Sequence, residues 1–167
     1  MKNILYFVIG LLLIVFSNTI LNDIDLMFFS FRPNLILIYL VFISIYIGAE
    51  KASVIGLALG LIIDISVGKY FGYYGLLFIA VGYLYGSLKE KVFKENIFTV
   101  ILLVIIATII DNLLISIIIG FRGIELGIFL LRILEAIFIN GIISAFLFYP
   151  LNIVLNKVEE QWWTRWN

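Results

Sequence analysis

The chain has 167 residues and zero formal net charge, with 64% hydrophobic and only 13% charged residues. Its mean hydropathy is +1.21, and soluble domains carry about 25% charged residues. The composition therefore describes an all-α integral membrane protein, one compact bundle without room for a second domain. The charge balance excludes nucleic acid as a partner, since phosphate binding needs a basic surface. With no Cys and no His, disulfides, thiolate and imidazole chemistry and the common zinc sites fall away, and no metal or other cofactor is expected.

A bilayer core of about 30 Å takes about 20 apolar residues as helix, fewer in tight bundles. Lys2-Asn3 followed by Ile4 to Phe16 has the form of a signal peptide, but Ser17-Asn18-Thr19 offers no small-x-small cleavage site. We read an uncleaved first span over about 4–21. Asn22, Asp23 and Asp25 end it, and Leu26 to Phe31 is too short to cross, which suits a surface piece. Arg32-Pro33-Asn34 opens the second span, about 33–49, with Pro in the first turn where a helix tolerates it. Glu50-Lys51 reads as a short turn into the third span, about 52–67, which makes spans two and three an antiparallel hairpin.

Lys69 precedes the fourth span, about 71–88, and Lys89-Glu90-Lys91-Val92-Phe93-Lys94-Glu95 forms a polar loop. The fifth span, about 97–119, is interrupted only by Asp111-Asn112. The last apolar tract, Leu126 to Leu155, is too long for one crossing at about 1.5 Å per residue. It is read as a short interfacial piece holding Arg132 and Glu135, then a sixth span over about 136–155 that Pro150 kinks or ends. The resulting domain covers 1–156, followed by a tail, 157–167. Lys and Arg counts then stand at seven against four in favour of both termini in the cytoplasm. All three tryptophans, Trp162, Trp163 and Trp166, lie in that tail, which reads as a foot on the cytoplasmic membrane surface or a docking surface for a partner.

Every fourth position from Gly48 to Gly72 is small or acidic: Gly48, Ala52, Gly56, Gly60, Asp64, Gly68 and Gly72. Residues four apart share a helix face, so this is a smooth groove bearing one carboxylate. Gly82 and Gly86 repeat the spacing in the fourth span. Small residues let helix backbones approach in lipid, and the glycine face is expected to pack within the bundle or against a partner span.

The charges inside the apolar layer collect in the outer half as Arg32, Asp64, Asp111, Arg132 and Glu135. An unpaired charge there is costly. Asp64 is either a solvated helix end or a carboxylate paired with Arg32, Lys69 or Arg132, because it sits at the wrong end of its own helix dipole. Asp111, about 20 Å along its span by helix rise, suits an ion pair or hydrogen-bonded cluster, with a proton or solute relay as the sharper reading. Arg132 and Glu135, three apart, can pair with one another. No base, nucleophile or phosphate loop accompanies these acids, so an enzyme is not expected.

The Arg32-Pro33-Asn34 entry, the third span from Gly60 to Gly68, Gly72-Tyr73-Tyr74-Gly75-Leu76, the basic loop Lys89 to Asn96, and Tyr149-Pro150-Leu151 together resemble the bacterial rod shape-determining protein MreD family. The resemblance covers nearly the whole chain. Asp111-Asn112 and the Trp-rich tail take no role from it. It implies a non-enzymatic scaffold of the cell-elongation machinery in the bacterial inner membrane. Such a scaffold binds the membrane-anchored periplasmic protein MreC and, indirectly, links MreB filaments to peptidoglycan synthases. A homo-oligomer is left open. The family also resembles in fold the six-helix substrate-binding component of energy-coupling-factor transporters. That supplies a rival, a solute-binding subunit with an outer pocket of Arg32, Asp64, Asp111 and Glu135. The rival is weakened because Gly10 stands alone in the first span, without the pair of small residues such subunits use for docking.

Overall fold

A computed structural model describes residues 2–23, 33–68, 70–119 and 126–163. The segment 26–31 and the residues Arg32, Lys69 and Trp166 lie outside the described residues, as do the side chains of Trp162 and Trp163. Regular structure among the described residues is entirely helical: α1 (Lys2–Asp23), α2 (Leu35–Ile47), α3 (Ala49–Val67), α4 (Tyr73–Gly86), α5 (Ile97–Ile119) and α6 (Leu126–Trp163). Three helices are long and apolar enough to cross a membrane, through Lys2–Thr19, Ile97–Ile118 and Gly127–Val158. The apolar helices α2 and α4 have 13 and 14 residues, about 20 Å each.

The centre of the bundle is α2. Its sequence, Leu-Ile-Leu-Ile-Tyr-Leu-Val-Phe-Ile-Ser-Ile-Tyr-Ile, is apolar on every side, the pattern of a helix surrounded by protein. All 13 residues are buried, and α2 packs against each of the other five helices. The few polar atoms it carries are satisfied. Ser44 Oγ donates to the Leu40 carbonyl at 2.6 Å, and Tyr39 Oη donates to the Tyr6 carbonyl at 2.7 Å. Pro33 and Asn34 start the helix, with Asn34 Oδ1 accepting the Leu37 N–H at 3.0 Å as an N-cap.

One residue joins α2 to α3. Gly48 has φ +89°, its N–H donates to the Ser44 carbonyl, and its own carbonyl accepts from Ala52. The turn expected at Glu50-Lys51 is therefore made earlier, because a left-handed glycine reverses the chain in a single step. Glu50 then occupies the first turn of α3, where a negative charge suits the helix dipole.

The most extensive pairing is α3 with α4, and glycines set its spacing. A Cβ built on Gly56 would lie 2.6 Å from the Phe78 carbonyl oxygen, and one on Gly60 2.4 Å from that of Tyr74. From the other side, a Cβ on Gly82 would lie 2.7 Å from the Ala52 carbonyl, and one on Gly86 2.4 Å from the Ala49 nitrogen. These four glycines put two backbones in contact inside the bundle. Gly68 and Gly72 lie in the connection between the same helices, at φ +66° and +92°, with nothing within 4 Å of an added Cβ. Gly10 is the corresponding contact of α1: an added Cβ would lie 2.5 Å from Leu59 Cδ1 of α3.

The last apolar tract differs from the expectation. Instead of an interfacial piece and a separate span, α6 is one helix of 38 residues that includes Pro150. Nothing between Leu126 and Ala136 breaks it, since Arg132 is exposed and Glu135 only half-buried. Pro150 removes one intrahelical donor, yet its ring sits on an exposed face. Contacts at two levels show that α6 runs parallel to α2. The Asn34 N–H meets Asn140, and twelve residues further along both helices Tyr46 Oη donates to Asn152. The interval is about 18 Å by helix rise.

Candidate functional site

Several polar side chains of the interior gather at the end of the bundle where α2 and α4 begin. Asp64, in the last turn of α3, is 1% exposed. Its Oδ1 accepts the N–H of Tyr74 and its Oδ2 the N–H of Gly75, each at 2.9 Å. These are orphan donors of the first turn of α4, whose N-cap position is Gly72 and has no side chain to serve them. A carboxylate from the preceding helix thus caps α4 and sits at the positive end of its dipole. The cation expected beside Asp64 is not needed for this arrangement, because backbone amides take both oxygens. Arg132, one of the three candidates, is exposed on α6.

Asp111 of α5 binds the same end of α4 through a side chain. Tyr73 Oη donates to Asp111 Oδ1 at 2.6 Å, and Asn34 Nδ2 donates to Asp111 Oδ2 at 3.3 Å. Asn34 continues the chain of bonds, its N–H donating to Asn140 Oδ1 at 3.1 Å. Asn140 Nδ2 donates to Thr108 Oγ1 at 3.0 Å, which in turn donates to the Val104 carbonyl at 2.8 Å. Thr108 and Asn140 are completely buried. Five polar residues therefore tie the starts of α2 and α4 to the middles of α5 and α6. In apolar surroundings such a network is worth most when every member is satisfied. We expect Asn140→Ala to lower stability by about 1–3 kcal/mol, because it leaves the Asn34 N–H without its acceptor and takes a donor from Thr108 Oγ1. A denaturation series in mixed detergent micelles reads this.

The expected outer cluster is only partly assembled. Asp64 and Asp111 hold neighbouring residues of α4, but through different partners. Glu135 Oε2 is buried without a hydrogen-bond partner, and no ion pair joins it to Arg132 among the described residues. The pairing expected from their spacing is absent because Arg132 turns to the exposed face. Charge-based reading passes over Asn140 and Tyr73. The available signal was an amide isolated in the apolar run Ile137 to Ile143, since a lone amide at membrane depth needs a partner.

A second polar cluster marks the opposite end. Tyr46 Oη is bonded to Asn152, whose Oδ1 also accepts from Asn156 Nδ2 at 3.0 Å. Lys94, from the loop before α5, places Nζ 4.6 Å from the centroid of the Tyr46 ring, within cation–π range. This fastens that loop to α2 and α6. Among the described residues no group of His, Cys, Asp or Glu has the arrangement to hold a metal ion.

The arrangement is one of internal fastening: Asp64 and Asp111 are taken up by the start of α4, and Asn34 and Asn140 by one another and by Thr108. A family model described as rod shape-determining protein MreD matches residues 1–158. The chain belongs to the MreD family. No curated protein and no solved structure matches it. Membership assigns this membrane protein to rod-shape determination, a structural role.

Proposed function

We propose that the chain is a non-enzymatic scaffold of the cell-elongation machinery, crossing the bacterial inner membrane six times with both termini in the cytoplasm. In this reading it binds MreC and, through it, couples MreB filaments to peptidoglycan synthases. The observation that carries the reading is the MreD match over 1–158. The six-span count extends the three long helices to α2, which its neighbours bury throughout, and to α3 and α4, which keep apolar residues on their outer faces. Parallel α2 and α6 agree with strict alternation of direction, and the seven-to-four basic excess favours the cytoplasmic termini. The fold is then of the kind seen in energy-coupling-factor substrate-binding components, used here without transport. Trp162, Trp163 and Trp166 are assigned to the cytoplasmic membrane surface. The glycines Gly56, Gly60, Gly82 and Gly86 act by holding α3 on α4, and Gly68 and Gly72 by turning the chain between them.

The test is purification of the tagged protein in a gentle detergent, with mass spectrometry of what accompanies it. MreC in near-stoichiometric amount is the expected result. An ATP-driven transport module in its place would replace the scaffold reading with that of a solute carrier.

A further inference from the structure

The helices α1 and α3 touch where Gly10 meets Leu59. Nearer their starts they leave an open groove of about 290 Å³, walled by Asn3, Ile4 and Phe7 of α1 and by Val54, Ile55 and Ala58 of α3. Ile4 and Val54 are exposed rims, while Ile55 is buried. Apart from Asn3, the wall is made of apolar side chains. Asn3 to Phe7 and Val54 to Ala58 each advance four residues, so the groove is about 6 Å long by helix rise.

Its depth in a bilayer follows from α1, whose membrane-crossing stretch begins at Lys2. The groove therefore lies in the first turns of the hydrocarbon layer, next to the headgroups. Two basic residues stand on the headgroup side. Lys2 directly precedes Asn3. Lys51 is exposed and lies three, four and seven residues before Val54, Ile55 and Ala58, the spacing of one helix face. A long side chain there leans toward the start of its helix, so its stem covers apolar surface while the ammonium stays among the headgroups. Glu50, the adjacent acid, shares only Val54 by the same spacing.

The shape also selects an occupant. A helix with its side chains is about 10 Å across, whereas this groove is one turn long, narrow and open to lipid. A chain of methylenes fits such a space. We propose that the groove holds an acyl chain of an anionic phospholipid, whose negative headgroup meets Lys51 with Lys2 beside it. The lipid would fasten the start of α1 to α3, beyond the reach of the Gly10 contact. The site goes beyond the scaffold reading and stands or falls without reference to MreC.

The test offers the full chain, purified in a non-ionic detergent, equal amounts of phosphatidylglycerol and phosphatidylcholine with the same acyl chains. Native mass spectrometry reads the lipids retained. The native protein should keep phosphatidylglycerol in preference. Lys51→Gln should cut that preference on the order of 5-fold, the effect of one lysine near a negative surface, while still holding lipid. Ala58→Leu fills the groove and should lower retention of both lipids. If Ala58→Leu does not fold, Lys51→Gln, at an exposed position, decides. Equal retention of the two lipids by native protein, an unchanged preference in Lys51→Gln, or full retention in Ala58→Leu would overturn the proposal. So would a dimer of the chain that disappears in Ala58→Leu, because a second copy would then be the occupant.

Discussion

Gly60→Leu should yield little folded protein in detergent, and Gly60→Ala should fold with a thermal midpoint clearly below the native one. The added Cβ meets the Tyr74 carbonyl oxygen at 2.4 Å, its carbon at 2.6 Å and Gly75 Cα at 2.7 Å. All three are backbone atoms of a capped helix start, so no rotamer change relieves the overlap; α4 must move away from α3. Overpacking costs about 1–3 kcal/mol where neighbours can adjust, and more where they cannot. At roughly 2–4 °C per kcal/mol for a chain of this size, and at the upper end of that range, about 3 kcal/mol, because the neighbours are backbone, the Ala variant should lose about 6–12 °C. Gly127→Ala is the control, since its added Cβ has nothing within 4 Å and Ala is the better helix former; its midpoint should stay or rise. A native midpoint in Gly60→Ala would mean that the two backbones do not touch.

Asp64→Ala should be nearly as damaging by a different route. It leaves the N–H groups of Tyr74 and Gly75 without acceptors in a site that is 1% exposed, and it removes negative charge from the start of α4. Two charge-assisted bonds lost with their donors left buried amount to about 3–5 kcal/mol. Asp64→Asn keeps one acceptor but turns an NH₂ group toward the other N–H, so it should fall between Ala and native. The distinguishing measurement is hydrogen exchange: the amides of Tyr74 and Gly75 should lose protection far more than those of α5. Uniform loss across all helices would show that Asp64 supports the bundle generally and does not cap α4. The same cap explains why weakened assembly with partners, if seen in Asp64→Asn, would follow from a loosened α4.

The acidic pair illustrates how far a charge pattern can be followed. Asp64 and Asp111 stand out at once as carboxylates in apolar runs, and their need for partners follows from desolvation. Which partners they take depends on pieces of chain remote in sequence. Asp64 is satisfied by amides ten and eleven residues later, exposed by the turn through Gly68 and Gly72. Asp111 is satisfied by Tyr73 and Asn34, 38 and 77 residues away. Neutral partners such as these carry no charge signal, which is why a search for cations misses them.

The glycine stripe divides in the same way. Four-residue spacing marks a face for close approach, a local property of helix geometry. It does not distinguish Gly56 and Gly60, which touch α4, from Gly68 and Gly72, which shape a turn. That difference depends on where α3 stops, and α3 stops at the left-handed Gly68.

From the residues alone came the membrane environment, the helical class, the MreD family and the position of most helices, because hydropathy and turn residues act over short stretches. The tertiary structure decided that α2 is the buried centre and that α3 and α4 meet backbone to backbone. It also decided that α6 continues unbroken through 126–163 and that the interior polar groups close on one another at the start of α4. These are matters of which surfaces face each other. Helices nearly uniform in hydrophobicity can be rotated without changing their burial in lipid. Their orientation is set instead by a few glycine contacts and hydrogen bonds between distant residues.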